Sequence, residues 1–231
     1  MKDKIKKYWF ILPSFLLLCV LLFSLFSSHD DVVYDIPDSR LETAAVDNPE
    51  SKAWLTIPDS HIDASVQQGP DNNYYLRRDE EGNYDFHGCL FADYECNLTS
   101  INDLSDNTII YGHTYPNGEY LDGFYDLKRY TEEDFAKEHP YIYLSLPDGK
   151  TVWKVVSAGL ADVSLDYDCI LADLTEEEMK TVIEKALERS VLDFGTSISE
   201  DDHLMTLSTC TGNSDFRMVV TAKLIEKSEV E

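Results

Sequence analysis

Short apolar runs that alternate with polar residues, set off by turn residues, recur along most of this chain and leave little room for a helical core. Ala53-Trp-Leu-Thr-Ile57 and Ile62-Asp-Ala-Ser-Val66 read as strands around a Pro58-Asp59-Ser60 turn. Asn107-Thr-Ile-Ile-Tyr111 is a third. Tyr141–Leu146 and Thr151–Ser157 flank Pro147-Asp148-Gly149, a strong hairpin signal. Leu204–Leu207 and Phe216–Ile225 close the set. Helical patterns are fewer. Thr131-Glu-Glu-Asp134 predicts a cap for a short helix that Pro140 ends. Thr175-Glu-Glu-Glu178 predicts a capping box on a helix to about Leu192, with Met179, Val182, Ile183, Ala186 and Leu187 on one face. No βαβ alternation appears. The pattern predicts a mainly β fold, an antiparallel barrel or sandwich with helices attached.

Charge is distributed unevenly. Residues 1–7 carry four Lys and one Asp, residues 8–28 carry no charge, and His29, Asp30 and Asp31 open an acidic exterior. An uncharged, mostly apolar helix of that length spans roughly 31 Å, which matches a bilayer core. Lysines before it and aspartates after it predict a single-pass anchor with a cytoplasmic N-terminus and an external domain. A cleaved signal peptide is the rival reading, but no clean cleavage site follows. The expected organisation is a cytoplasmic N-terminus at 1–7, a transmembrane signal-anchor at 8–28 and a stalk with a short helix at 29–52. A globular domain at 53–227 and a tail at 228–231 complete it.

The net charge of -25 repels phosphate backbones and argues against nucleic-acid partners. Of five cysteines, Cys19 falls in the apolar stretch, leaving Cys89, Cys96, Cys169 and Cys210 for the external domain. A domain of this size has core enough to fold without disulfides, although Cys89 and Cys96 could pair across a loop. No Cys-x-x-Cys pair suggests structural zinc, and Asp93, Glu95, Asp103 and Asp106 are too irregular for a calcium loop. No metal or cofactor is expected. His61, His87, His139 and His203 lack a partner pattern and read as surface or structural residues.

Three features could carry chemistry: His113 after an apolar strand, Cys210 at the end of another, and Arg217 on the strand that follows. A cysteine nucleophile works as its thiolate, which a nearby His or Arg favours. An Arg fork can hold a carbonyl or a developing oxyanion. Taken singly, a strand cysteine is more often core, a His after Gly more often a turn residue, and a strand Arg more often solvated.

Together, Thr206-Leu-Ser-Thr-Cys210, the downstream Arg217 and Tyr111-Gly-His113 resemble the signature of sortases, the surface-protein transpeptidases of Gram-positive bacteria. The likeness runs from about Trp54 to Leu224. Trp54–Ile57, Gln68–Leu76 and Gly88–Phe91 are similar to the early segments of class B. The stretch after His113 and Cys169 depart from that class's pattern, which bears on the groove wall. The resemblance implies a closed eight-stranded β-barrel with an N-terminal helix and a long helix in the loop before the neighbourhood of the cysteine strand. It implies that Cys210 attacks the carbonyl after a Thr in a C-terminal sorting signal, that His113 protonates the departing amine and that Arg217 stabilises the oxyanion. Asn72, Leu76, Tyr111 and Ser208 would line the substrate groove. A cell-wall precursor amine would then take the acyl group. Two other readings share parts of this pattern: a cysteine peptidase that only hydrolyses, and a non-catalytic, membrane-tethered β-barrel adhesin.

Overall fold

In the computed structural model, which describes residues 38–115, 123–211 and 213–229, eight strands close into a barrel. Its order is β1-β2-β3-β4-β7-β8-β6-β5. The strands are β1 (Ser51–Thr56), β2 (Asp63–Gln67), β3 (Phe91–Ala92), β4 (Asn107–Gly112), β5 (Tyr141–Leu146), β6 (Gly149–Asp162), β7 (Leu204–Cys210) and β8 (Phe216–Glu229). Seven of these follow the apolar runs of the sequence. β3 has two residues and no alternation to announce it; its register, Phe91 on Tyr111 and Ala92 on Ile110, is set by β4. Closure leaves no exposed sheet edge.

β5 and β6 form the expected hairpin, but Gly149 belongs to β6, so Pro147 and Asp148 make the two-residue loop. The Asp148 carboxylate accepts the Ile101 N–H and pins that loop to the barrel end. β6 and β8 are longer than their apolar runs, because each pairs with the other along Gly149–Asp162 and Phe216–Glu229. The end of β8 beyond Leu224 is largely exposed and held by ladder hydrogen bonds, whereas its partners Gly149 and Lys150 on β6 are buried. The barrel interior is filled by fully buried side chains including Leu55, Ile57, Ile110, Trp153, Leu207 and Val220. Burying a side chain of this kind contributes about 1.5–3 kcal/mol.

Helix α1 (Ser39–Asp47) lies where the stalk helix was expected, but it is docked rather than free. Leu41 is buried, Arg40 makes two 2.8 Å bonds to the Asp63 carboxylate, and its guanidinium stacks over Trp54 at 4.7 Å. Helix α2 (Glu133–Glu138) starts two residues after Thr131, whose hydroxyl instead donates to the Lys128 carbonyl; the preceding segment, Tyr125–Thr131, is 3-10. Helix α3 (Glu176–Arg189) carries the capping box, with Thr175 and Glu178 bonded reciprocally. It lies in the β6–β7 connection, and Gly159 of β6 lets it approach, since a Cβ there would collide with the Arg189 carbonyl. No helix among the described residues is long and apolar enough to cross a membrane. The expected anchor at 8–28 lies outside the described residues.

Candidate active site

β4 and β7 run parallel, an uncommon pairing in a mostly antiparallel barrel, and their register ends with Gly112 opposite Thr209. The next residues on the two strands are His113 and Cys210. β7 then pairs antiparallel with β8, and its last rung sets Cys210 opposite Arg217. Three residues far apart in the chain thus reach one rim of the barrel. They line a single groove of about 310 Å³, together with Asn72, Leu76, Tyr111 and Ser208. Ala161, Val163, Cys169, Ile170 and Val219 give that groove an apolar wall.

Local sequence explains the rim. A Cβ at Gly112 would lie 2.5 Å from a Leu90 methyl and 2.8 Å from the Phe124 ring, so only glycine lets β4 pass. Thr114 donates to the Phe124 carbonyl at 2.7 Å, and its hydroxyl oxygen lies 3.0 Å from that of Thr209. With its own proton spent, Thr114 accepts from Thr209. This hydroxyl pair ties the chain after His113 to the strand end before Cys210.

Among the four described cysteines, all with free thiols, Cys210 is the one that is not buried. Burial pushes the Cys89 thiol up strongly and the Cys96 thiol up to about 12, so neither forms a thiolate readily. Cys89 and Cys96 are packed residues, not a disulfide.

His113 is half-buried. Its Nε2 lies 3.0 Å from the Leu76 carbonyl oxygen and 3.2 Å from Nη1 of Arg77. Burial lowers its pKa, and the Arg77 charge adds to that, while the Leu76 hydrogen bond opposes it. Arg217 donates through Nη1 to the Ser214 and Phe216 carbonyls at 2.9 and 3.0 Å. Its Nε and Nη2 make no hydrogen bond among the described residues, which leaves one edge of the fork for a ligand in the groove.

The groove floor is organised by Asp93, which the sequence marked only as part of an irregular acidic segment. Asp93 is 2 % exposed. One carboxylate oxygen accepts from Tyr111 Oη at 2.8 Å and from Asn72 Nδ2 at 2.7 Å; the other accepts the Glu95 N–H. Burial and this carboxylate raise the Tyr111 phenol far above its ordinary value, so it remains a donor. Asn72 Oδ1 in turn accepts the Tyr94 N–H. Two of the four expected groove residues are therefore oriented by a third group with no motif of its own. The acidic segment forms no metal cluster among the described residues. His61 pairs with Asp126 at 2.7 Å, His87 with Asp85 at 3.1 Å, and His139 stacks on Phe135. Of these, His61 and His87 line a second cavity that His113 also borders.

The Sortase domain family matches residues 55–225, most of the barrel. Sortase B of Listeria monocytogenes is 32 % identical over 185 residues, covering 78 % of this chain and 72 % of that protein. The chain belongs to the sortase family. This sortase is class B-like and has the cysteine transpeptidase activity of that family. Its fold is similar to the Staphylococcus aureus sortase B–substrate complex, with a TM-score of 0.72 and 25 % identity over 97 % of each chain. It is equally similar to sortase B complexed with triglycine, with a TM-score of 0.72 and 25 % identity over 97 % of this chain and 98 % of that one.

Proposed function

We propose that this sortase cleaves a C-terminal sorting signal after a Thr residue and passes the released acyl group to a cell-wall amine. The observation that carries this reading is the convergence of Cys210, His113 and Arg217 on one groove. The Cys210 thiol gives its proton to His113 as its sulfur attacks the carbonyl carbon after the Thr, and the electron pair of the C=O bond moves to oxygen. The free edge of Arg217 holds that oxyanion. As the tetrahedral adduct collapses, the C–N bond breaks and the protonated His113 gives its proton to the departing amine. A thioester on Cys210 remains. An incoming amine then attacks the thioester and gives up a proton to His113, which passes it to the departing Cys210 sulfur; the amine leaves with a new amide bond and Cys210 recovers its thiol. The sortase B complexes with substrate and with triglycine support the same pair of reactants here.

The apolar wall and the Asp93-oriented Asn72 and Tyr111 suit an extended peptide with apolar side chains and satisfied backbone groups. Residues 8–28 anchor the sortase in the membrane, with residues 1–7 in the cytoplasm and the barrel outside. The support for this is the charge pattern of the N-terminus.

A peptide-library cleavage assay on the full-length chain, with and without an added amine, tests the reaction. The expected result is a thioester adduct on Cys210 by mass spectrometry and an amide product when amine is present. Only hydrolysis at every amine concentration would favour a peptidase. Cys210→Ala should lower turnover at least about 1000-fold with the fold intact; undiminished turnover would exclude Cys210 as the nucleophile.

A further inference from the structure

Arg77 lies outside the motifs that mark the site, yet among the described residues it is the charged one within hydrogen-bond distance of the His113 ring. Its Nη1 faces three acceptor candidates: the Leu76 carbonyl at 3.0 Å, the Phe86 carbonyl at 3.1 Å and His113 Nε2 at 3.2 Å. The guanidinium is also fixed over the Phe86 ring at 5.0 Å. One nitrogen of an Arg fork has two protons to give. Nε2 is itself 3.0 Å from the Leu76 oxygen. If Nε2 lacked a proton, it would accept from Arg77, and two lone pairs would meet across the 3.0 Å gap to Leu76. If Nε2 carries the proton, it donates to Leu76, and Arg77 gives its two protons to the Leu76 and Phe86 carbonyls. The second assignment sets no acceptor against an acceptor: the two donor nitrogens, 3.2 Å apart, both point at the Leu76 oxygen, whose two lone pairs take one proton from each. It also places a fixed positive charge beside the ring, where a second one is unfavourable.

We infer that Arg77 is a positioning residue for the transfer reaction: it holds His113 as the neutral Nε2–H tautomer against the Leu76 carbonyl, leaving Nδ1 as the nitrogen that exchanges the proton. Proton exchange then runs through Nδ1 in both acyl-transfer steps. An imidazolium formed beside Arg77 is a stronger acid than one beside solvent, so it releases its proton to the departing amine more readily. Among the described residues, the groups that face His113 from the elements around it are few. Arg77 comes from the 3-10 turn Tyr74–Arg77, and His87, paired with Asp85, from the loop that follows. The Tyr115 ring lies 6.0 Å away, and its hydroxyl donates to the Phe86 carbonyl. Cys210 and Arg217 share the groove on one side; His61, Asp63 and Glu80 line a cavity on the other. The lowered pKa of His113, to which burial contributes first and both Arg77 and His87 add, agrees with this arrangement.

The inference rests on the proposed role of His113 but is tested without turnover. In full-length protein labelled with ¹⁵N-histidine, two-bond proton–nitrogen correlations report which ring nitrogen is protonated. The His113 signals are identified by their loss in His113→Gln. The resting chain should have the Nε2–H tautomer. In Arg77→Gln the titration midpoint of His113 should rise by about half to one pH unit, while Arg77→Lys, which keeps the charge, should stay near the wild type. With peptide and amine, Arg77→Gln should lower kcat about tenfold with KM changed less than about twofold. A purely structural Arg77 would leave the midpoint where it is, and that result, or an Nδ1–H tautomer in the resting chain, overturns the inference. Absence of any transpeptidation in the wild type would instead strike the proposed function and leave the tautomer measurement standing.

Discussion

His113 and Cys210 each follow the same rung of the β4–β7 ladder, the one formed by Gly112 and Thr209. Parallel strands carry their residues forward in step, so both side chains leave the barrel at one level. Arg217 reaches that level from the other side, opposite Cys210 on β8. The geometry of the groove is thus a property of strand register, and its perturbations can be stated in those terms.

Arg217 uses Nη1 on its own loop and keeps the rest of the fork for the groove. A lysine at this position retains charge but cannot serve the loop carbonyls and an oxyanion together. Arg217→Lys should lower kcat/KM about 100-fold with an unchanged far-ultraviolet spectrum. Kinetics within a few-fold of the wild type would mean that charge alone suffices.

Gly112 sits against Leu90 and Phe124 with no room for a methyl group. Gly112→Ala should cost about 1–3 kcal/mol by overpacking. It should also displace His113, the next residue, and reduce transfer. Urea unfolding alongside peptide turnover checks both effects; an unchanged midpoint would show that the strand shifts freely.

Asp93 holds Tyr111 and Asn72 through one carboxylate oxygen. Asp93→Asn replaces a double acceptor by a group that also brings donors into a donor-rich, buried position. A stability loss of about 2 kcal/mol is expected, with a raised KM for peptide and a smaller change in kcat. Equal KM values for variant and wild type would remove Asp93 from the groove's organisation.

Lys150 on β6 lies over the Tyr143 ring at 5.1 Å, and burial pushes its ammonium down to about 8, against the opposing pull of Asp38 and Glu226. Its folded pKa is below the unfolded value of about 10.4, so the unfolded chain binds more protons in between. Stability attributable to this group therefore increases as pH rises from about 8 towards 9.5, below the range in which unfolded tyrosines ionise. Lys150→Met should remove that slope and be more stable at pH 7. Parallel slopes in urea unfolding at about pH 7, 8 and 9 would assign the effect elsewhere.

Much of this sortase was written locally. Alternating runs gave seven of the strands, the Thr175–Glu178 box gave the start of α3, and the sequence around Cys210, His113 and Arg217 marked the residues that share the groove. These are properties of a residue and its near neighbours: side-chain period, cap chemistry, turn preference. What tertiary structure decided is of another kind. β3 has two residues and exists because β4 offers it a partner. Asp93 matters because a loop buries it beneath Tyr111 and Asn72, and Arg77 because its turn lies against His113. The stalk helix docks because Leu41 and Arg40 find a pocket and a carboxylate on the barrel. Each of these depends on which surfaces meet across long sequence separations, and hydrogen bonding, burial and charge act on spatial neighbours, whatever their distance along the chain.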